Sequence, residues 1–205
     1  IQASGGGRTV AVFDKGRGVG GRMSTRRVGD GTFDHGAQYF TARDPVFRTL
    51  VDGWLVDGLI HLWSDGFATA SGAMNQNGEP RYIGSRGMTT IPKRLAEGLG
   101  VSTGATAQSC RWANGRWEIV FKERGPVRAR SLVLTCPAPQ SMALLGGGGA
   151  GGAEAGLDNA TDMAVRRIEY APCLAALLQL DGASRVPKPG GLWLEGEPVG
   201  WMADN

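Results

Sequence analysis

The feature that most constrains the fold is a short apolar stretch followed at once by a loop of glycines and cations. Residues 9–13 read TVAVF, a run typical of a strand buried in a parallel sheet, and we expect this strand to extend from about Arg8 to Phe13. Asp14 follows at its carboxyl end, and the chain then reads KGRGVGGRMSTRR. Glycines let the backbone approach a ligand and arginines bring positive charge, so the stretch predicts a local anion-binding site.

Asp14 has the position of the carboxylate that accepts hydrogen bonds from the adenosine ribose in a dinucleotide-binding unit. The alternative is a carboxylate that only caps a turn, which is commoner for an isolated aspartate. The glycines and cations that follow favour the dinucleotide, because they suit a pyrophosphate. The residues expected at this pyrophosphate are Lys15, Arg17, Gly20, Gly21 and Arg22.

Composition excludes several other classes of protein. The net charge of +3 is small and its cations cluster near residue 20, which argues against a nucleic-acid surface. Three distant cysteines indicate free, mostly buried thiols in a reducing compartment, and the presence of just two histidines argues against a histidine-based metal site. We expect no membrane span, no metal and a cytoplasmic location.

The remaining pattern predicts an α/β fold. Helices are expected over residues 45–60 and from about 88 to Gly98 or Gly100, a hairpin over 101–122, and further strands over 61–70, 131–139, 173–181 and 193–202. The glycine run 146–156 is expected to be a flexible surface insertion. We therefore predict an incomplete FAD/NAD(P)-binding Rossmann-like domain, residues 1–45 and about 85–140. A second domain with a mixed or antiparallel sheet would comprise about 46–84 and 141–205, and would bind the substrate.

The paired segments FDKGRGVGGRMSTRR and FDHGAQYFT resemble the N-terminal part of renalase-like flavoproteins, within the amine oxidase group with the glutathione-reductase-type FAD fold. Similarity extends through GMTTIPKRLAEGL, SLVLTCPAPQSMALL, YAPCLAALLQLD and GWMADN. The resemblance implies FAD as cofactor, with Asp14 on the ribose and Arg22 on the phosphates. It also implies that Gln38 and Tyr39 lie beside the flavin and that the backbone near Ala107 contacts the adenine.

The resemblance further implies an oxidoreductase that transfers a hydride from a dihydronicotinamide isomer or an amine to the flavin, with O2 as electron acceptor. The GxGxxG turn of the family would precede residue 1, and the segment that closes over the flavin would follow Asn205. We therefore expect this chain by itself to bind FAD weakly or not at all. An amine oxidase or desaturase relative and a non-catalytic dinucleotide-binding fragment remain alternatives.

No catalytic residue is evident from the sequence. His35 is a weak candidate that could tune the flavin or contact substrate, and a structural hydrogen-bonding histidine is the commoner alternative. His61 is expected at the surface. Trp193 and Trp201 are expected in the core or on a sheet face, with an aromatic substrate cage as the less common alternative.

Overall fold

A computed structural model describes residues 9–146, 157–196 and 198–204, within which the chain alternates short strands with four α-helices. The strands are β1 (Ala11–Phe13), β2 (Thr25–Val28), β3 (Gly31–Asp34), β4 (Ile60–Thr69), β5 (Met74–Gly84), β6 (Gly100–Ser102), β7 (Ala107–Ala113), β8 (Arg116–Phe121), β9 (Val127–Ala129), β10 (Gly191–Trp193) and β11 (Trp201–Ala203). The helices are α1 (Pro45–Val56), α2 (Thr90–Ala96), α3 (Ala138–Gly146) and α4 (Asn159–Arg166), and one 3-10 turn spans Gly21–Met23.

The chain divides into two compact units, each built from two separate segments. Unit 1 comprises residues 1–18 and 99–173, and unit 2 comprises residues 19–98 and 174–205. The division of the chain into a cofactor-binding and a substrate-binding domain stays a prediction.

Unit 1 contains a parallel strand pair and an antiparallel sheet. β1 pairs in parallel with β6, and β7, β8 and β9 form a three-stranded antiparallel sheet. The core beneath this sheet contains Ala105, Cys110, Ile119 and Phe121, with leucines of the following segment and of α3 packed against it. The parallel pair places the carboxyl ends of β1 and β6 at one edge, where Asp14 lies.

Unit 2 contains a mixed four-stranded sheet in the order β11-β10-β4-β5 and a separate β2–β3 hairpin. Only the β10–β4 pairing is parallel in this sheet. Its core packs α1 and α2 against β4 and β5 through a cluster of buried side chains: Val51, Trp54, Ile60, Tyr82, Met88 and Ile91. The expected second sheet of mixed type is therefore present.

Helix α1 shows why this segment is helical. Asp44 caps its amino end, where its side chain accepts the peptide N–H of Phe47 at 2.9 Å, and Pro45 takes the first helical position. Val51 and Trp54 are buried three residues apart. The helix ends at Val56, four residues before the expected end, because Gly58 has a positive φ of 66° and starts the turn into β4.

Two predicted strands are wrong. Residues 131–136 and 173–181 form no strand, although both runs are apolar. Val133 is 69% exposed and Leu174 is 98% exposed. An apolar run becomes a strand only where a neighbouring strand pairs with its backbone, and in the described residues neither run has such a partner.

The predicted hairpin over 101–122 divides between two sheets. Its first residues form β6, which pairs with β1, whereas the turn at Asn114 and Gly115 joins β7 to β8 as expected. The β2–β3 hairpin forms where the sequence pattern suggests a loop of glycines and cations, and the 3-10 turn at Gly21–Met23 precedes this hairpin. The terminal hairpin is formed by β10 and β11.

The expected glycine-rich insertion falls at residues 147–156, outside the described residues, as does the start of the expected first strand at Arg8. The three cysteines are free. Cys110 is buried, which raises the pKa of its thiol, whereas Cys136 is half-buried and Cys173 is exposed, so the expectation of mostly buried thiols holds for only part of the set. No helix in the described part of the chain is long and apolar enough to cross a membrane.

Candidate functional site

Asp14 lies where the sequence pattern predicts it, immediately after β1. Its peptide N–H donates to the carbonyl oxygen of Ser102, the last residue of β6, at 2.9 Å, so the β1–β6 hydrogen bonding continues by one bond past the end of β1. Its carbonyl oxygen accepts the N–H of Ala105 at 3.0 Å. The backbone of Asp14 is thus fixed by two neighbouring segments of unit 1, which holds its side chain at the strand edge.

The Asp14 carboxylate is half-buried and partly satisfied. Oδ1 accepts the peptide N–H of Gly16 at 2.7 Å, an Asx turn that starts the glycine-rich loop. This is the turn-capping contact of the alternative interpretation. Among the described residues no donor to Oδ2 is found, so the same carboxylate can close the turn with one oxygen and accept a ribose hydroxyl with the other. The ribose contact stays a prediction.

A cation that the sequence analysis missed lies at the same edge of unit 1. The Arg124 guanidinium lies 5.1 Å from the ring centroid of Phe13 and 5.7 Å from that of Phe121. One of its terminal nitrogens is 3.4 Å from the hydroxyl of Ser102. A basic residue after a hairpin strand carries no motif, and only the pairing of β1 with β6 shows that it lies near Asp14. Its charge could contribute to binding an anionic ligand there.

Ala107 begins β7 and pairs with Phe121, with a bulge before Ser109. The peptide N–H of the preceding Thr106 donates to the Glu123 carboxylate at 3.0 Å, and this contact lowers the pKa of Glu123. The backbone of Ala107 therefore lies at an irregular strand end. Contact between this backbone and an adenine stays a prediction.

The glycine-rich loop passes from unit 1 to unit 2 between Gly18 and Val19. Lys15 and Arg17 are exposed in unit 1, and Arg22 is exposed in unit 2. Gly20 has a φ of 123°, and Gly21 also has a positive φ. These two glycines are thus required by the backbone itself, independently of any ligand.

Arg22 lies in the 3-10 turn, and its backbone is held by neighbouring segments of unit 2. Its carbonyl oxygen accepts the N–H of Ala37 at 2.8 Å. The following residue, Met23, donates its N–H to the Gly20 carbonyl at 2.7 Å. A rigid backbone limits where the exposed guanidinium can reach, which suits a residue that contacts a phosphate.

Gln38 and Tyr39 join an aromatic cluster on the mixed sheet of unit 2. Oε1 of Gln38 accepts the indole N–H of Trp201, and the Trp201 ring lies 4.5 Å from that of Trp193. The Tyr39 ring lies 5.6 Å from the ring of Phe67. The predicted flavin neighbours and the two tryptophans considered for a substrate cage therefore belong to one cluster.

A buried arginine lies within this cluster. Arg81 is 8% exposed, and its guanidinium lies 5.6 Å from the Tyr39 ring centroid and 5.0 Å from that of Phe67. Its terminal nitrogens donate to the Glu79 carbonyl and to Oδ1 of Asn77, whereas its buried Nε has no hydrogen-bond partner among the described residues. Arg81 lies on β5, a strand that the sequence pattern does not predict, and no motif indicates this residue.

The two histidines give no evident catalytic arrangement. His35 is exposed, and no hydrogen-bond partner for it lies among the described residues, so the structural hydrogen-bonding alternative is not supported. His61 is exposed on β4, as predicted. No group of three or more histidine, cysteine, aspartate or glutamate residues in the described ranges could hold a metal ion.

The buried carboxylate of unit 2 is Asp34, which follows the phenylalanine in the FDHGAQYF segment. It is 5% exposed and accepts hydrogen bonds from the Thr25 hydroxyl at 2.6 Å and from the peptide N–H of Met88 at 3.0 Å. No sequence motif assigns a role to Asp34, because its partners Thr25 and Met88 lie in other segments of the chain.

Comparison with known families supports the predicted class of ligand. Residues 2–54 match the family model of the NAD(P)-binding Rossmann-like domain. The matched range includes β1, Asp14, the glycine-rich loop, and Gln38 and Tyr39. Residues 2–54 therefore resemble a Rossmann-like dinucleotide-binding domain, and the predicted α/β fold class is confirmed. A domain of this kind is compatible with an oxidoreductase.

Proposed function

We propose that the protein, whose residues 2–54 match the NAD(P)-binding Rossmann-like domain, is an FAD-dependent oxidoreductase of the renalase type. Its substrate would be a reduced nicotinamide-like compound, such as a dihydronicotinamide isomer, or an amine. Molecular oxygen would accept the electrons. A cytoplasmic location belongs to the same proposal.

The observation that carries the proposal is the position of Asp14. It follows a strand of a parallel pair, it is half-buried, and its Oδ1 is held by the Gly16 N–H at 2.7 Å. In dinucleotide-binding folds an acid at this place binds the ribose hydroxyls of the adenosine. The unengaged Oδ2 supplies the acceptor that this contact needs.

The other residues fit the remaining parts of FAD. Arg22 presents an exposed guanidinium from a backbone held by hydrogen bonds, which suits the pyrophosphate. Lys15 and Arg17 add exposed positive charge in the same loop. Gln38 and Tyr39 would approach the flavin ring, and the Trp201 contact fixes the orientation of the Gln38 amide.

When bound, FAD supplies a hydride acceptor that molecular oxygen reoxidises. The protein's own residues then bind the cofactor, orient the substrate and shield both from water. Trp193 and Trp201 form an apolar surface against which a planar substrate ring can stack. The buried Arg81 guanidinium packs over Tyr39 and restrains its ring. Proton transfer is assigned to no side chain, and His35 remains a weak candidate.

A second candidate ligand is NAD(P), which the description of the matching family favours. Asp14 would favour NAD+ over NADP+, because a carboxylate at the ribose favours an unphosphorylated 2′-hydroxyl over a 2′-phosphate. A non-catalytic dinucleotide-binding protein and an amine oxidase or desaturase relative are the remaining alternatives to the proposed activity.

Two experiments test the proposal. Calorimetric titration with FAD, NAD+ and NADP+ should show FAD as the tightest ligand, and Arg22→Ala should weaken it while the exposed Arg26→Ala, with the same change in charge, does not. Single-turnover mixing with dihydronicotinamide isomers and with primary amines should then bleach the flavin absorbance with the isomers. Tighter binding of NAD+ than of FAD would contradict the FAD assignment. Bleaching by amines alone would instead indicate an amine oxidase activity.

A further inference from the structure

The polar network around Asp34 connects three segments of unit 2 that are distant in sequence. Thr25 is the register partner of Asp34 across the β2–β3 hairpin, and its hydroxyl donates to Oδ1 at 2.6 Å. The peptide N–H of Met88, at the turn before α2, lies 3.0 Å from Oδ1 and 3.1 Å from Oδ2. A carboxylate that is 5% exposed needs such donors, because burial without them would be costly.

Thr25 and Thr89 form a reciprocal pair that extends the network. The Thr89 N–H donates to the Thr25 hydroxyl oxygen at 3.0 Å, and the Thr25 N–H donates to the Thr89 hydroxyl oxygen. The Thr89 hydroxyl in turn donates to the Met23 carbonyl at 3.3 Å. The Thr25 hydroxyl thus accepts a hydrogen bond from the Thr89 N–H and donates its own hydrogen to Asp34. The network therefore ends at the residue next to Arg22.

A second connection runs along the backbone after Asp34. The N–H of Ala37 donates to the Arg22 carbonyl at 2.8 Å. Gly36 lies so close to that carbonyl that an added Cβ would be 2.0 Å from its oxygen. Only glycine at position 36 lets the segment after β3 lie against the Arg22 turn. The peptide groups of Arg22 and Met23 are thus held from two directions, by the N–H of Ala37 and by the Thr89 hydroxyl.

We infer that Asp34 and Gly36 are positioning residues for Arg22, which fix the turn from which its guanidinium reaches an anionic phosphate group. This inference rests on the proposed function, because it takes Arg22 as the phosphate contact. Asp34 itself is buried and acts through Thr25, Met88 and Thr89, whereas Gly36 acts by letting the Ala37 peptide reach the Arg22 carbonyl. Residues 33–36 (FDHG) then hold the turn that contains Arg22, the arginine of the GGR sequence, which lies twelve residues before Asp34.

A double-mutant cycle with FAD as the probe tests this inference on the full chain. Arg22→Ala in the wild-type background should lower FAD affinity by roughly 10- to 100-fold, the range of a charge-assisted hydrogen bond. In the Asp34→Asn background the same change should lower it by less than about threefold, since the guanidinium is already displaced. In the Gly36→Ala background, which leaves the Asp34 carboxylate intact, Arg22→Ala should likewise lower the FAD affinity by less than about threefold. Asp30→Asn, an exposed acid at the hairpin turn, is the control and should leave the effect of Arg22→Ala unchanged.

A measurement that needs no ligand accompanies the cycle. Hydrogen exchange at the Ala37 amide should accelerate by about tenfold in Asp34→Asn, whereas amides of the β7–β8 hairpin in unit 1 should keep their protection. This local change also shows that the variant is folded.

The outcomes separate the inference from the proposed function. Equal losses on Arg22→Ala in all backgrounds, or unchanged protection of Ala37 in Asp34→Asn, would overturn the positioning role while leaving the phosphate contact in place. No effect of Arg22→Ala in the wild type would overturn both. If FAD does not bind to this chain by itself, the exchange of the Ala37 amide still decides whether Asp34 holds the Arg22 turn.

Discussion

The indole N–H of Trp201 donates a hydrogen bond to the side-chain carbonyl of Gln38, 163 residues earlier in the chain. The bond ties the last described strand of unit 2 to the segment that follows the β2–β3 hairpin. Both side chains are half-buried, and the Trp201 ring also lies 4.8 Å from that of Phe67. Gln38 is therefore oriented by the mixed sheet, and not by its own loop.

Loss of this hydrogen bond should destabilise unit 2. Trp201→Phe keeps most of the ring packing but leaves the Gln38 carbonyl without its donor, so the free energy of unfolding should fall by about 1 kcal/mol or more. Urea unfolding followed by circular dichroism measures the change. Trp112→Phe, at a ring that is 46% exposed in unit 1, is the control and should have a smaller effect. An equal effect of the two substitutions would argue against the Gln38 contact.

The glycines of the loop should differ in their tolerance of alanine. Gly20 has a φ of 123°, and a Cβ there would lie 3.2 Å from Cγ of Pro92. Gly20→Ala should therefore lower the free energy of unfolding by about 1–2 kcal/mol. Gly18 has no atom within 4 Å of an added Cβ and no positive φ, so Gly18→Ala should be neutral or stabilising by up to about 1 kcal/mol. Thermal unfolding of both variants without ligand provides the comparison, and equal losses would contradict this assignment of strain.

Unit 1 should lose stability in acid through Glu118. Hydrogen bonds from Arg111 and then from Arg128 lower the pKa of this carboxyl. The ionised form is thus favoured in the folded state, so its contribution is complete above the unfolded pKa of about 4.3 and is lost as the pH falls below that value. Glu118→Gln should flatten the fall in the free energy of unfolding between about pH 5 and pH 3.

The control for this pH dependence is Glu169→Gln, at an exposed residue of the same unit. In Glu169→Gln the free energy of unfolding should fall in acid as it does in the wild type. Urea unfolding at several pH values measures both variants. A wild-type pH dependence in Glu118→Gln would show that other carboxyl groups are responsible.

Local chemistry made part of the fold predictable. The cap of α1 at Asp44 and the turn at Asn114 and Gly115 depend on residues that are close in sequence, so the signal and the partner lie within one short segment. The β1 strand and the position of Asp14 after it could be predicted from a continuous motif, although the strand partner of β1 is the distant β6. Such features can be read without knowledge of the tertiary structure.

The remaining features of the fold depend on partners that are distant in sequence. The β2–β3 hairpin contains the cationic residues Arg26 and Arg27, which suggest a loop, and it is held by Asp34 through a contact with Met88, 54 residues later. Conversely, the apolar residues 173–181 favour a strand but find no strand partner in the described ranges. Strand formation depends on what lies beside the segment, and composition does not specify that neighbour.

The residues of the candidate site likewise divide into those in one continuous motif and those with partners that are distant in sequence. Asp14 and Arg22 could be predicted because the motif that contains them is continuous in sequence. Arg124 and Asp34 could not, because the first reaches the edge of β1 and β6 from a different sheet and the second acts through hydrogen bonds to Thr25 and Met88.

The most direct test of dinucleotide binding at Asp14 compares FAD with FMN, which lacks the adenosine. Calorimetric titration should show that the wild-type protein binds FAD more tightly than FMN. Asp14→Ala should lower the affinity for FAD by about tenfold or more and leave the affinity for FMN unchanged, with a smaller loss in Asp14→Asn, because an amide oxygen can still accept a hydroxyl. Asp65→Ala, at an exposed acid on β4, should change neither. Equal affinities for the two flavins in the wild type, or an equal loss for both in Asp14→Ala, would contradict the assignment of Asp14 to the adenosine ribose.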